Sequence, residues 1–244
     1  MTKALLLALA VLNPVLALAT PSGQVWIPST DIQKHKTIHL NFDTYLRTRR
    51  EPDGSRKAPM SMLGPTVGVL PWEKLQGEVG FDLIYSGDQV PDNSPFYFHG
   101  KLGTPENSLL AGSPSLAVGG YNFGTKSGVT NQDIVYGLAA RTLPVVGRLT
   151  AGYYVGNRAV LVDQHGNTAD NGLLLAWDRT MKELSEKLWL AMDYQGGKSA
   201  VGQTGFCAGW WFTPSTLVIV GYNIFNDRTV AGQNTLSFQV DINF

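Results

Sequence analysis

The feature that most constrains this chain is a two-residue alternation of apolar and polar side chains, clearest near its end. There Leu236, Phe238, Val240, Ile242 and Phe244 interleave with Thr235, Ser237, Gln239, Asp241 and Asn243. Successive side chains of an extended strand point to opposite faces, so this segment reads as a ribbon with one apolar face and one wet face. Ile38, Leu40, Phe42, Thr44 and Leu46 alternate in the same way with His39, Asn41, Asp43, Tyr45 and Arg47. So do Leu75, Gly77, Val79, Phe81, Leu83 and Tyr85 with Gln76, Glu78, Gly80 and Asp82. Dyads of about ten residues exceed the mean soluble strand and match a tilted strand that crosses a bilayer.

Extended along the chain, the pattern predicts twelve strands, at about 37–47, 61–70, 75–86, 96–103, 115–124, 132–142, 147–157, 172–179, 187–195, 202–212, 216–226 and 235–244. Ten or fourteen are the neighbouring alternatives. Connections at 71–74, 143–146 and 213–215 are short, and they alternate with longer polar ones at 48–60, 87–95, 125–131, 161–171, 196–201 and 227–234. Two connections on the short side are longer, 104–114 and 181–186, the second with room for one helical turn. The fold expected is all-β, a transmembrane antiparallel up-and-down barrel with long loops on one side and both chain ends on the other. A hairpin unit is faintly repeated, with Ser113-Pro114-Ser115 to Gly120-Tyr121-Asn122-Phe123 resembling Thr213-Pro214-Ser215 to Gly221-Tyr222-Asn223-Ile224-Phe225.

Composition fits this reading. Charged residues make up 16% of the chain, against about 25% in soluble domains, while 27 glycines suit tight turns. Nineteen basic residues balance nineteen acidic ones with no basic run, which excludes the electrostatic footprint of a nucleic-acid binder. One cysteine, Cys207, excludes an intrachain disulfide framework. No clustered His, Cys or acidic side chains have metal-ligand spacing, and neither metal nor cofactor is expected.

Residues 1–19 read as a signal peptide: Lys3, an apolar run from Ala4 to Leu18, and Ala17-Leu18-Ala19 before a cleavage expected ahead of Thr20. The run is interrupted by Asn13-Pro14 and is short for a membrane-spanning helix. Residues 20–34 are expected to be a periplasmic leader and 35–244 the barrel. Plugging the lumen and docking a periplasmic protein are the other roles open to the leader, and a buried Trp26 is the sign that would distinguish an anchored segment.

The closing strand, with Leu236, Phe238, Val240 and Ile242 ending on Phe244, resembles that of bacterial outer-membrane β-barrel proteins, porin-like in layout. The resemblance implies that Phe238, Val240, Ile242 and Phe244 are read by the barrel-assembly machinery of a Gram-negative bacterium. It implies residence in outer-membrane lipid, and it leaves a homo-oligomer or a periplasmic partner open. An aromatic girdle at the lipid interfaces is expected from Tyr85, Tyr121, Tyr153, Tyr194 and Tyr222 on the loop side, with Trp177, Trp210 and Phe244 opposite.

Twelve strands would enclose a lumen wide enough for small solutes. Its expected lining, from the polar parity, is His39, Asn41, Asp43, Arg47, Glu78, Asp82, His99, Lys101, Asp133, Arg141, Arg148, Asp178, Lys187, Asp193 and Asp241. Acidic and basic residues are nearly balanced in that set, which argues for a weakly selective diffusion channel, because selectivity comes from rings of one sign. The alternative is a structural or assembly-partner barrel whose charges pair and plug the interior. A second alternative is a hydrolase at the barrel rim, based on the Asp-x-His spacing of Asp163 and His165. Neither a second acidic pair nor a His-x-Ser pair accompanies it, so a non-enzyme is expected.

Overall fold

A computed structural model describes residues 22–244; the signal-peptide and cleavage-site expectations lie outside the described residues. Twelve antiparallel strands close into one barrel, each paired with its sequence neighbours and β1 with β12. The strands are β1 (Ile38–Arg47), β2 (Met60–Gly68), β3 (Gln76–Tyr85), β4 (Phe96–Thr104), β5 (Ser115–Gly124) and β6 (Asn131–Leu143). They continue with β7 (Gly147–Val155), β8 (Asn171–Thr180), β9 (Leu188–Gln195), β10 (Gln203–Thr213), β11 (Thr216–Phe225) and β12 (Thr235–Asn243). These bounds agree with the alternation to within about two residues. Single-turn helices at Gln89–Asp92 and Arg228–Ala231 lie in two of the long loops.

Closure follows from the terminal dyads. His39 pairs with Asn243 and Phe42 with Val240, and the Ile38 and Phe244 backbones exchange hydrogen bonds at the seam. Among the described residues every strand is paired on both sides, which is the condition for crossing hydrocarbon with strands. The outward parity carries Phe42, Val79, Phe98, Val118, Leu173, Phe206, Val220 and Phe238, all exposed, with Val118 at 61%. Large apolar side chains exposed on every strand around a closed sheet form a lipid-facing surface, since a water-facing barrel would bury them.

The inward parity is not uniformly polar. On β1–β4 and β12 it carries His39, Asp43, Thr66, Glu78, Lys101, Gln239 and Asp241, all buried. On β6–β8 it carries Ile134, Tyr136, Leu138, Tyr154, Leu174 and Ala176, which form an internal apolar cluster with Ile27 and Val201. Trp189, Ala191, Trp211, Leu217 and Ile219 of β9–β11 form a second cluster with Val25. One half of the interior is wet, and the other is a core packed around residues of the N-terminal segment.

Candidate functional site

Of the segment expected to be a periplasmic leader, residues 22–33 pack against the inner face of the barrel. Residues 22–29 fold into a hairpin, with Gln24 N–H donating to Ile27 O and Ser29 N–H to Ser22 O, while Gly23 and Pro28 bridge. Its turn is fixed by Asp193 on β9. One carboxylate oxygen of Asp193 accepts the N–H groups of Val25, Trp26 and Ile27 at 3.0, 2.6 and 2.9 Å, and Gln203 Nε2 donates to the other at 3.1 Å. A buried carboxylate costs several kcal/mol to desolvate, and such donors offset that cost.

Contacts to other walls complete the anchoring. Gln24 Nε2 donates to Asp178 at 3.0 Å, and Arg148 bridges Asp178 at 2.8 Å and Asp31 at 2.6 Å. Lys101 pairs with Glu78 at 3.2 Å and donates to the Ser22 and Ser29 carbonyls, while Gln33 N–H donates to Glu78. Trp26 packs edge-on against Tyr45 and Phe225 at 5.4 and 5.9 Å and donates its indole N–H to Val201 O. These partners were not recognisable from sequence, because most lie more than a hundred residues from the hairpin. The partial exception is Trp26, an indole that needs both a packing surface and an acceptor.

Beside the hairpin lies a cavity of about 520 Å³. It is lined by loop residues including Ser86, Asp88, Asp92 and Val230 and by His39, Asp43, Asp82, His99 and Asp241 of the strands. His39 Nε2 lies 3.2 Å from Asp241 and its Nδ1 3.2 Å from Asn243. Asp82, His99 and Thr66 form a second chain, with His99 Nδ1 at 3.1 Å from Asp82 and Nε2 at 2.9 Å from Thr66 Oγ1. Glycines make room for it: a Cβ on Gly64 would fall 2.4 Å from Asp82 Oδ1, and one on Gly80 2.3 Å from His99 Nε2.

A hydroxyl, an imidazole and a carboxylate in series resemble an activated nucleophile. Thr66 pairs with His39 on one side and Gly80 on the other, and His99 with Gly80, whereas the β2–β3 pairing is interrupted at Gly64–Pro65 opposite Phe81–Asp82 and the β4–β5 register shifts at His99. The hydrogen bonds orient these three polar groups in the cavity wall. The Asp163–His165 pair lies in an exposed loop turn, where Asp163 accepts the amides of His165 and Asn167. Against a desolvation penalty, those hydrogen bonds hold its carboxyl below the ordinary value.

Of the residues expected to line the lumen, His39, Asn41, Asp43, Arg47, Glu78, Asp82, His99, Lys101 and Asp241 border the cavity. Asp178 and Asp193 accept hydrogen bonds from the hairpin, and Arg148 joins Asp178 to Asp31. Three are placed elsewhere. Asp133 sits at a bulge with φ 46°, and Arg141 turns to Glu106, Asn107 and the Ser113 carbonyl. Lys187 is exposed in the turn before β9. On β6 both faces are largely apolar, so the charges at its ends do not report the inward parity.

The girdle needs one correction. Tyr121 points inward, donating to Gln195 Oε1 at 3.1 Å and lying tilted against Tyr136 at 5.9 Å between ring centroids, because it shares parity with Ala117 and Gly119. Asn122 then adopts φ 56° and shifts the register, and Phe123 covers the outer side of Gly120 in its place. Tyr85, Tyr153, Tyr222, Trp210 and Phe244 are exposed, and Tyr194 and Trp177 half-exposed. Wall residues not anticipated as site groups include Thr66, Tyr97, Tyr136 and Gln239.

The closed sheet, its apolar exterior and its partly polar interior define a membrane β-barrel of porin-like fold. Among solved structures the chain is similar to the KdgM porin at 9% identity and a TM-score of 0.55, covering 84% of this chain and 99% of that one. The KdgM porin in complex with disordered oligogalacturonate gives a TM-score of 0.53 at 9% identity, over 85% of this chain and 99% of that one. The NanC porin gives 0.48 at 10% identity, over 84% and 98%. No family model matches the sequence, and no curated protein matches it.

Proposed function

We propose that this protein is an outer-membrane diffusion channel for small solutes, and that residues 22–34 narrow its lumen to a passage along β1–β4 and β12. The observation that carries the reading is the cavity of about 520 Å³, lined by polar and apolar side chains of the strands, the loops and the hairpin. A solute there meets hydrogen-bonding groups such as Asn41 and Thr66 interspersed with aromatic rings such as Tyr45 and Tyr97. The porin-like fold supports the same reading by analogy. Export with cleavage before Thr20, and assembly through Phe238, Val240, Ile242 and Phe244, belong to this proposal. No catalytic role is included.

A second reading, a structural barrel with a filled lumen, is favoured by the anchoring of the hairpin to Asp193, Asp178, Glu78 and Lys101. Liposome swelling separates the two. Vesicles carrying the folded protein should swell in an isotonic pentose and far more slowly in a tetrasaccharide. Absence of swelling with either sugar, from a barrel that shows heat-modifiable gel mobility, would overturn the channel and favour the structural reading.

A further inference from the structure

Two features of the outer wall meet at Tyr222. The first is a groove of about 430 Å³ on the lipid-facing side of β8–β12, lined by apolar and aromatic side chains. One edge is a run of outward residues that are lateral partners: Leu236 with Tyr222, Tyr222 with Phe206, Phe206 with Met192 and Met192 with Trp177. Leu236 is the second residue of β12 from the loop end and Trp177 the seventh of β8, so the run slopes from the loops toward the short turns. Beside it Ala208 pairs with Val220 and Leu190, and its small side chain between Phe206 and Trp210 gives the groove its depth.

The second feature is a pair of cations at the loop end of that groove. Tyr222 Oη lies 3.5 Å from Thr48 Oγ1, and Arg49 and Arg228 both act electrostatically on this hydroxyl. Both arginines are exposed, and among the described residues neither guanidinium has a hydrogen-bond or carboxylate partner. The nearby acids are otherwise engaged: Asp227 accepts the Thr229 amide and hydroxyl, and Glu51 acts on Arg47. Exposed tyrosines mark the level of lipid headgroups, and a guanidinium fork matches phosphate oxygens.

We propose that this outer face binds a phosphate-bearing membrane lipid, with its headgroup paired to Arg49 and Arg228 and one acyl chain laid along the groove below Tyr222. Lipid tails are as apolar as the groove, so the chain gains packing there and little else. Affinity comes from the charge-assisted hydrogen bonds, and the groove sets where the lipid sits. A second copy of this chain is the competing occupant, but a two-fold dimer through this face would set each arginine pair against its own copy at the same height. The proposal rests on the barrel's place in a membrane and not on conduction.

Native mass spectrometry of the full barrel in nonionic detergent tests this, with dimyristoyl phosphatidic acid, dimyristoyl phosphatidylcholine and inorganic phosphate as probes. One phosphatidic acid per chain should be retained, at least about tenfold tighter than phosphatidylcholine, a difference of roughly 1.4 kcal/mol. Arg49→Gln with Arg228→Gln should abolish that preference. Ala208→Phe, which fills the groove and leaves the headgroup contacts alone, should weaken both lipids in the same proportion. Heat-modifiable mobility shows that each variant is folded. Equal retention of the two lipids, no bound lipid, or inorganic phosphate held as tightly as phosphatidic acid would overturn the proposal. So would a preference unchanged in the arginine variant, lipid retention unchanged in Ala208→Phe, or a two-chain mass that Ala208→Phe returns to one. Retained lipid on a barrel that stays silent in planar bilayers removes the channel alone.

Discussion

The Asp193 carboxylate, on the inner face of β9, receives the backbone amide of Trp26 at 2.6 Å across 167 residues of sequence. The same oxygen takes the Val25 and Ile27 amides, so one side chain fixes the turn of a hairpin threaded into the barrel. Asp193→Ala removes the acceptor for all three. Each hydrogen bond to a charged group contributes about 1.5–3 kcal/mol, so the hairpin should lose most of its local stability. Hydrogen exchange at the amides of residues 25–27 should be slow in the parent and at least about 100-fold faster in the variant, with strand amides unchanged. Equal protection in both would show that Asp193 does not anchor the segment.

Trp26 is the second anchor. Trp26→Ala removes two edge-on aromatic contacts and the hydrogen bond to the Val201 carbonyl. Aromatic pairs contribute about 0.5–1.5 kcal/mol beyond their buried area. Exchange at residues 25–27 should therefore rise about tenfold, less than in Asp193→Ala, and the double variant should show less than the combined effect, because both act on one hairpin.

The glycines beneath the Asp82–His99–Thr66 chain are required by space. At Gly64 a Cβ would lie 2.1 Å from the Phe81 carbonyl oxygen as well as 2.4 Å from Asp82 Oδ1, so backbone as well as side chain must move. Gly64→Ala should destabilise the barrel by about 1–3 kcal/mol in denaturant titration from lipid vesicles. Gly137→Ala on β6, where a Cβ meets nothing within 4 Å, should cost well under that. Equal effects at the two positions would contradict the packing described.

The outward face is tested by charge. Val220 lies in the middle of β11 and is 43% exposed. Val220→Arg should cost about 2–4 kcal/mol in bilayer, the range for a cation near the midplane of a barrel's lipid face. The same change at Val145, exposed in the 143–147 turn, should fall within about 0.5 kcal/mol. A small effect at Val220 would place that face in water.

The strands were legible because each carries its own evidence. Phe42 and Asp43, or Val240 and Asp241, report opposite faces by adjacency alone, and no distant information is needed. That signal failed where both faces are apolar. On β6, Ile134, Tyr136 and Leu138 face the filled interior while Val135 faces outward, and nothing in their chemistry separates inside from outside. Tyr121 was misread for a related reason: a ring near a strand end suits either an interfacial girdle or a lumen with an acceptor such as Gln195. The hairpin was the least legible element. Its hydrogen bonds run to Asp178, Asp193 and Gln239, and a segment with Pro21 and Pro28 and no periodicity looks the same in sequence whether it is free or buried. Near-balance of charge was visible, whereas which charges meet the hairpin and which border the cavity depends on where that hairpin lies.

Single-channel recording in planar bilayers, comparing the full chain with Asp193→Ala, tests the central claim most directly. A hairpin that narrows a conducting lumen predicts small discrete steps for the parent and larger ones for the variant, with both proteins showing heat-modifiable mobility. Bilayers silent with both folded proteins, or steps of the same size in each, would contradict it.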